Sequence, residues 1–150
     1  MKKIVVIFFM FSLLGCSGYK PIFSSKNFDF YIKEIENVNN DKITRKLIKK
    51  VKSYSNENQK RPLALRINSE KEEIVISKDT KGNPLIFEII LKSTIEVSYQ
   101  NEEISNFTLI ENFTYNNQSN KFEMSQYKKN VENNLLNKIA ENLILNLQSL

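Results

Sequence analysis

The chain has 150 residues, a formal net charge of +5, 41% hydrophobic residues, one Cys, no Trp and no His. Without His it lacks the usual general base and zinc ligand, so Ser/His/Asp catalysis is excluded outright and Cys/His catalysis with it. Only three of the basic residues are Arg, and none is interleaved with aromatics, so the charge does not argue for nucleic acid.

In chain order, Lys2 and Lys3 precede an apolar run from Ile4 to Leu14, which closes as Leu13-Leu14-Gly15-Cys16. Basic start, apolar segment and small residue before the cut are the layout of a secretory signal. The run is about a dozen residues, short of the roughly 20 that a spanning helix needs. A cysteine at the cut site also resembles the lipobox of bacterial lipoproteins, where the thiol is acylated and becomes the mature N-terminus. A plain signal peptide with an incidental cysteine is the competing reading. We expect residues 1–15 to be a lipoprotein signal peptide, 16–27 a lipidated tether and 28–150 a single α+β domain. Loss of the signal removes Lys2 and Lys3, which lowers the formal charge to +3. A lipidated Cys16 leaves no thiol for a disulfide, so stability must come from the core or from a partner. Ser17 follows it, which in lipoproteins of enteric type favours transfer to the outer membrane.

Within the tether, Pro21 holds Lys20 extended. Phe28, Phe30 and Ile32 then alternate with polar neighbours, predicting a first strand with one buried face. Asn39, Asn40 and Asp41 offer an N-cap for a helix from Lys42 to about Tyr54, along which Ile43, Leu47, Val51 and Tyr54 recur at helical spacing. Much of the rest of that helix is basic, including Lys42, Arg45, Lys46, Lys49, Lys50 and Lys52. After a polar linker, Ser55 to Pro62, the alternation of Leu63, Leu65 and Ile67 predicts a second strand. The charged stretch Glu70 to Glu73 interrupts it, and it resumes at Ile74 to Ile76. A polar connection from Lys78 to Pro84 leads to a third strand, Leu85 to Tyr99, apolar on both faces as far as Leu91. Gln100 to Glu103 form a tight turn, and Phe107, Leu109, Phe113 and Tyr115 mark a fourth strand antiparallel to the third. Phe122 to Leu150 predicts a long helix with neither Pro nor Gly. Its apolar line of Tyr127, Val131, Leu135, Ile139, Leu143 and Leu147 drifts around the axis because steps of four overshoot a turn by about 40°. Leu136, Ala140, Ile144 and Leu145 widen it beyond the stripe of roughly 100° that one sheet requires. The order β-α-β-β-β-α predicts a four-stranded sheet packed on one face by two helices.

No catalytic residue and no metal ligand set emerges. The carboxylate groups at Glu70, Glu72 and Glu73 and at Glu102 and Glu103 read as solvated turns or strand ends, and three glycines leave no phosphate-cradling loop. Enzyme activity is therefore not expected. The basic helix is open between a solvated face and attraction to anionic headgroups or an acidic partner. Lys78 and Lys81, on one loop, are open between a polar turn and contacts to phosphates. The apolar surplus of Leu85 to Leu91 and of the final helix is either core or surface enclosed by a partner.

Together these features resemble the LPS-assembly lipoprotein family, LptE. The residues that carry the resemblance begin with Leu14-Gly15-Cys16-Ser17-Gly18-Tyr19-Lys20-Pro21-Ile22-Phe23, similar to the family's run after its lipobox. Asp41 to Val51 is similar to its first helix and Leu63 to Ile67 to its second strand. Phe113-Thr114-Tyr115-Asn116, followed by Phe122 to Tyr127, is similar to its passage from strand to final helix. The resemblance implies an outer-membrane lipoprotein, with no cofactor beyond the covalent lipid on Cys16. Such a protein plugs the LPS-translocating β-barrel LptD, assists its assembly and contacts lipopolysaccharide on its way to the outer leaflet. On that implication Lys78 and Lys81 are candidate LPS contacts, although the chain is poorer in Arg than many relatives. The alternative from another class is a free periplasmic lipoprotein that binds a small ligand or peptide.

Overall fold

The computed structural model describes residues 28–54 and 60–150. The expected signal peptide, Cys16 and the tether lie outside the described residues. Six elements follow one another: β1 (Phe30–Asn37), α1 (Lys42–Lys52), β2 (Arg61–Lys78), β3 (Pro84–Tyr99), β4 (Glu102–Asn116) and α2 (Lys121–Gln148). The expected order β-α-β-β-β-α is the one observed. The strands form one sheet in the order β1-β2-β3-β4, with β1 parallel to β2 and the remaining pairs antiparallel. A parallel neighbour needs a crossover, and α1 supplies it.

Both helices lie on one face of the sheet. Leu63, Leu65 and Ile67 of β2 turn to that side, and Ile89, Leu91, Ile95 and Val97 of β3 join them. Leu65 pairs with Val97 and Ile67 with Ile95, so the buried rows are in register. The first helix, α1, lies over β1 and β2 and contributes Leu47 and Val51, while α2 lies over β3 and β4. The two helices also pack against each other. This explains the wide apolar stripe of α2. One flank, with Leu135, Ile139 and Leu143, is buried, and so is a second flank with Leu136, Ala140, Ile144 and Leu147. The apolar surplus of this helix, open between core and partner-enclosed surface, is largely consumed by α1, and among its large apolar side chains Phe122, Tyr127 and Leu145 stay exposed.

The second strand departs from expectation. Instead of two pieces separated by Glu70 to Glu73, β2 is one strand of 18 residues. The charged stretch pairs with Lys92, Leu91, Ile90 and Ile89 of β3 without interruption. A backbone ladder needs no apolar side chain, and alternation sends Glu70 and Glu72 to the open face and Lys71 and Glu73 to the helix side. What does break at Ser69 is burial: residues 63, 65, 67 and 69 are buried, whereas residues 70–76 are exposed throughout. The break coincides with the end of β1, whose last partner pair is Asn37 with Ile67.

The third strand resolves in the same way. Phe87, Ile89 and Leu91 face the helices, while Ile86 and Ile90 sit half-buried on the open face among Glu88, Lys92 and Glu96. The turn between β3 and β4 is tighter than expected. It consists of Gln100 and Asn101 alone, both at positive φ (52° and 69°), the geometry of a two-residue turn whose twist suits a hairpin.

Candidate functional site

The helix side of the sheet carries a cationic groove where α1 stops short of the distal half of β2. The start of α1 is pinned there by its cap. Asp41 Oδ1 accepts from the backbone N–H of Ile43 (2.6 Å) and Thr44 (2.9 Å), and the Thr44 hydroxyl donates to Asp41 Oδ2. The same hydroxyl oxygen accepts from the backbone N–H of Ser69 at 2.9 Å, which ties the cap to β2 at the residue where burial ends. Burial pushes the Asp41 carboxyl up, but the hydrogen bonds from Thr44 and Ile43 outweigh it and hold it below the ordinary carboxylate value.

Next to this cap, Glu132 of α2 joins three elements. It is 7% exposed and accepts from Lys46 of α1 at 2.5 Å and from Lys71 of β2 at 2.7 Å. Burial raises its carboxyl, the hydrogen bonds from Lys46 and Lys71 lower it, and the balance lies below the ordinary value. One turn along α1, Lys50 donates to Asn133 and Asn137 at 2.7 and 2.6 Å. Part of the basic face of α1 is therefore a seam with α2, not merely solvated surface.

Two concavities flank Glu132. One, of about 390 Å³, runs between the helices and is lined by Lys46, Lys49, Lys50, Lys129 and Asn133. The other, of about 560 Å³, lies between the start of α2 and Lys71 of β2, beside Lys121, Lys128 and Lys129, and is bordered by Asn117 to Ser119. They meet at Lys129 and Glu132, the carboxylate common to both. Lys49, Lys121 and Lys129 form no ion pair among the described residues. Such a lining suits phosphate or carboxylate groups, since lysine is a point cation whose donors rotate.

Lys128 is held differently. Its ammonium donates to Glu73 at 2.6 Å and lies over the rings of Phe87 (5.1 Å) and Tyr115 (5.6 Å). Those rings stack at 5.5 Å, and Tyr127 meets Tyr115 edge-on at 6.1 Å. The Tyr115 hydroxyl is buried beside the Glu73 carboxylate without a well-formed hydrogen bond; burial first, and then Glu73, pushes its ionisation far above the ordinary tyrosine value. This cluster fastens the start of α2 to the sheet.

Lys78 and Lys81, the residues singled out from sequence, lie apart on the β2–β3 tip and line neither concavity. Between them Asp79 organises the turn, accepting from the backbone N–H of Lys81 and Asn83 at 2.8 Å each, with Gly82 at φ 85°. The tip lysines thus flank a carboxylate that organises their turn. Lys71, Lys121, Lys128 and Lys129 were missed. Their helical spacing, 121, 128 and 129, was visible, but their convergence on Lys71 depends on how α2 crosses the sheet. Among the described residues no three His, Cys, Asp or Glu gather as metal ligands, and no helix is long and apolar enough to cross a membrane.

No family model matches the sequence, and none of the curated proteins matches it either. Solved structures do match. The crystal structure of the rare lipoprotein B from Shewanella oneidensis has a TM-score of 0.60 at 13% identity, covering 79% of this chain and 93% of that one. The minor lipoprotein from Acinetobacter baumannii scores 0.59 at 12% identity over 81% and 92% of the two chains. The solution structure of an uncharacterized lipoprotein B from Nitrosomonas europaea scores 0.55 at 12% identity over 77% and 79%. At these identities the shared property is the fold.

Proposed function

We propose that the chain is an outer-membrane lipoprotein, anchored through acylated Cys16, that plugs the LPS-translocating barrel LptD, assists its assembly and takes part in lipopolysaccharide transport to the outer leaflet. The observation that carries this reading is the fold shared with solved bacterial lipoproteins over nearly their whole length, in a chain whose N-terminus has a lipobox layout. The two features are independent, one resting on the fold and the other on the sequence of residues 1–16.

The groove gives the reading a chemical role. Lipopolysaccharide carries phosphates, and the seam of Lys46, Lys49, Lys50 and Lys129 offers ammonium groups held by a scaffold instead of by loops. Glu132 draws Lys46 and Lys71 inward, which leaves Lys49 and Lys129 available to an incoming anion. Lys78 and Lys81 would add contacts at the sheet's tip. No proton transfer or covalent chemistry is required of any residue.

The test is affinity purification of the full-length protein from detergent-solubilised membranes. A stoichiometric outer-membrane barrel should co-purify, and depletion should lower the amount of assembled barrel. A protein isolated alone, with barrel levels unchanged on depletion, contradicts the proposal. Mass spectrometry of the mature N-terminus should find Cys16 acylated.

A further inference from the structure

The long second strand has a free edge with chemistry of its own. Beyond the Asn37–Ile67 pair no strand lies beside β2 among the described residues, although β2 continues to Lys78. The parity of that edge can be read directly. The Ile67 carbonyl accepts from Val38 N–H and the Ser69 N–H donates to Thr44, so odd-numbered residues point their backbone groups away from β3. The pairing with β3 is unbroken from Ala64 to Val75, so Lys71, Glu73 and Val75 each present an N–H and a C=O along the edge. Such a row is a template for another strand unless something blocks it.

The two sides of this edge differ in sign. Above it, on the helix side, stand Lys121 and Lys129 without ion-pair partners, across the cavity of about 560 Å³ that Lys71 also lines. Below it, on the open face, Glu70 and Glu72 are exposed and Ile74 follows. A strand added here in line with β1 would alternate its side chains between those two environments, because its period is two. Its residues on the helix side would meet the ammonium groups of Lys71, Lys121 and Lys129, the Glu73 carboxylate on that side being paired to Lys128, and those on the open side would meet carboxylates and then an isoleucine.

We propose that the distal edge of β2 is a strand-addition site for an extended polypeptide of alternating sign, acidic residues toward the lysine cavity and basic or β-branched residues toward Glu70, Glu72 and Ile74. Backbone pairing supplies the affinity and the cavity supplies the register, as in recognition by β-augmentation. The site does not depend on lipid anchoring or on barrel plugging, and it would operate in a free domain as well as in an assembled one.

The probe is a synthetic peptide, Lys-Glu-Val-Glu-Val-Glu-Lys with blocked ends, titrated against the full-length protein in detergent at low salt. Binding should protect the amides of Lys71, Glu73 and Val75 from hydrogen exchange, and methylating the peptide nitrogens of its valines or of its glutamates, each set tested separately, should abolish binding for the one set that faces β2. Val75→Pro removes an edge N–H that β3 does not use, and it should cut binding at least about tenfold while thermal unfolding stays near that of the parent. Lys121→Glu with Lys129→Glu should weaken binding by a similar factor and flatten its salt dependence. If both methylated peptides bind as well as the parent peptide, attraction is electrostatic only and the proposal fails. It fails equally if anionic phospholipid vesicles bind in a way that Val75→Pro abolishes while the peptide does not bind, because the edge would then serve a membrane surface.

Discussion

Leu63 to Ser69 and Glu70 to Ile76 are consecutive stretches of one strand, paired to the same neighbour, yet they live in different environments. The first is flanked by β1, roofed by α1 and buried at every second residue; the second has a free edge, an open roof and no buried side chain. Secondary structure is therefore a poor guide to what a segment does. The proximal half is scaffold, whereas the distal half is surface held rigid by that scaffold. A groove built at their junction gains positions fixed by Thr44, Glu132 and Lys71 and keeps access from solvent.

The contrast makes stability predictions of unequal size. Leu65→Ala, in the fully buried row, should cost about 2–5 kcal/mol by losing transfer energy and leaving a cavity, measured by chemical denaturation. Thr44→Val should cost about 1–3 kcal/mol, since it strands the Ser69 N–H at the junction. Glu132→Gln removes a charge shared by two lysines that keep partial access to water, so about 1–2 kcal/mol is expected rather than the full cost of breaking a buried pair. In the distal half, Val75→Ala should stay within about 0.5 kcal/mol, because the side chain is exposed. A large loss there would erase the distinction between the halves.

Acid should expose the same junction. Asp41, Glu73 and Glu132 all titrate below their ordinary values in the folded chain. Their contribution is fully present above the unfolded carboxylate range of about 4 and is lost as pH falls through the folded values. A pH titration of unfolding stability should show a plateau near neutrality and a decline below about pH 4, and Glu132→Gln should make that decline shallower.

What could be read from sequence was what has a period. The alternation of Leu63, Leu65 and Ile67, the i, i+4 steps of Leu47 and Val51 and the apolar line of α2 each reflect one buried face, and each predicted its element. Glu70 to Glu73 carries no such signal, because both of its faces are exposed, and its strand character comes from the ladder with β3. The parallel docking of β1 on β2 was likewise unreadable, since the choice of neighbour is tertiary. The basic run of α1 was visible, but its division was not: Lys46 and Lys50 turn to α2 while Lys42 and Lys49 remain exposed. The lysines of α2 acquire meaning only opposite Lys71, so the groove was half legible.

Hydrogen exchange along β2 of the full-length protein tests the division of the strand most directly. Leu65, Ile67, Lys71, Glu73 and Val75 all direct their amides to the same side, and only the first two meet β1. The account predicts slow exchange near the global unfolding limit at Leu65 and Ile67, and fast exchange at Lys71, Glu73 and Val75 in the unliganded protein. Uniform protection across all five amides would contradict it.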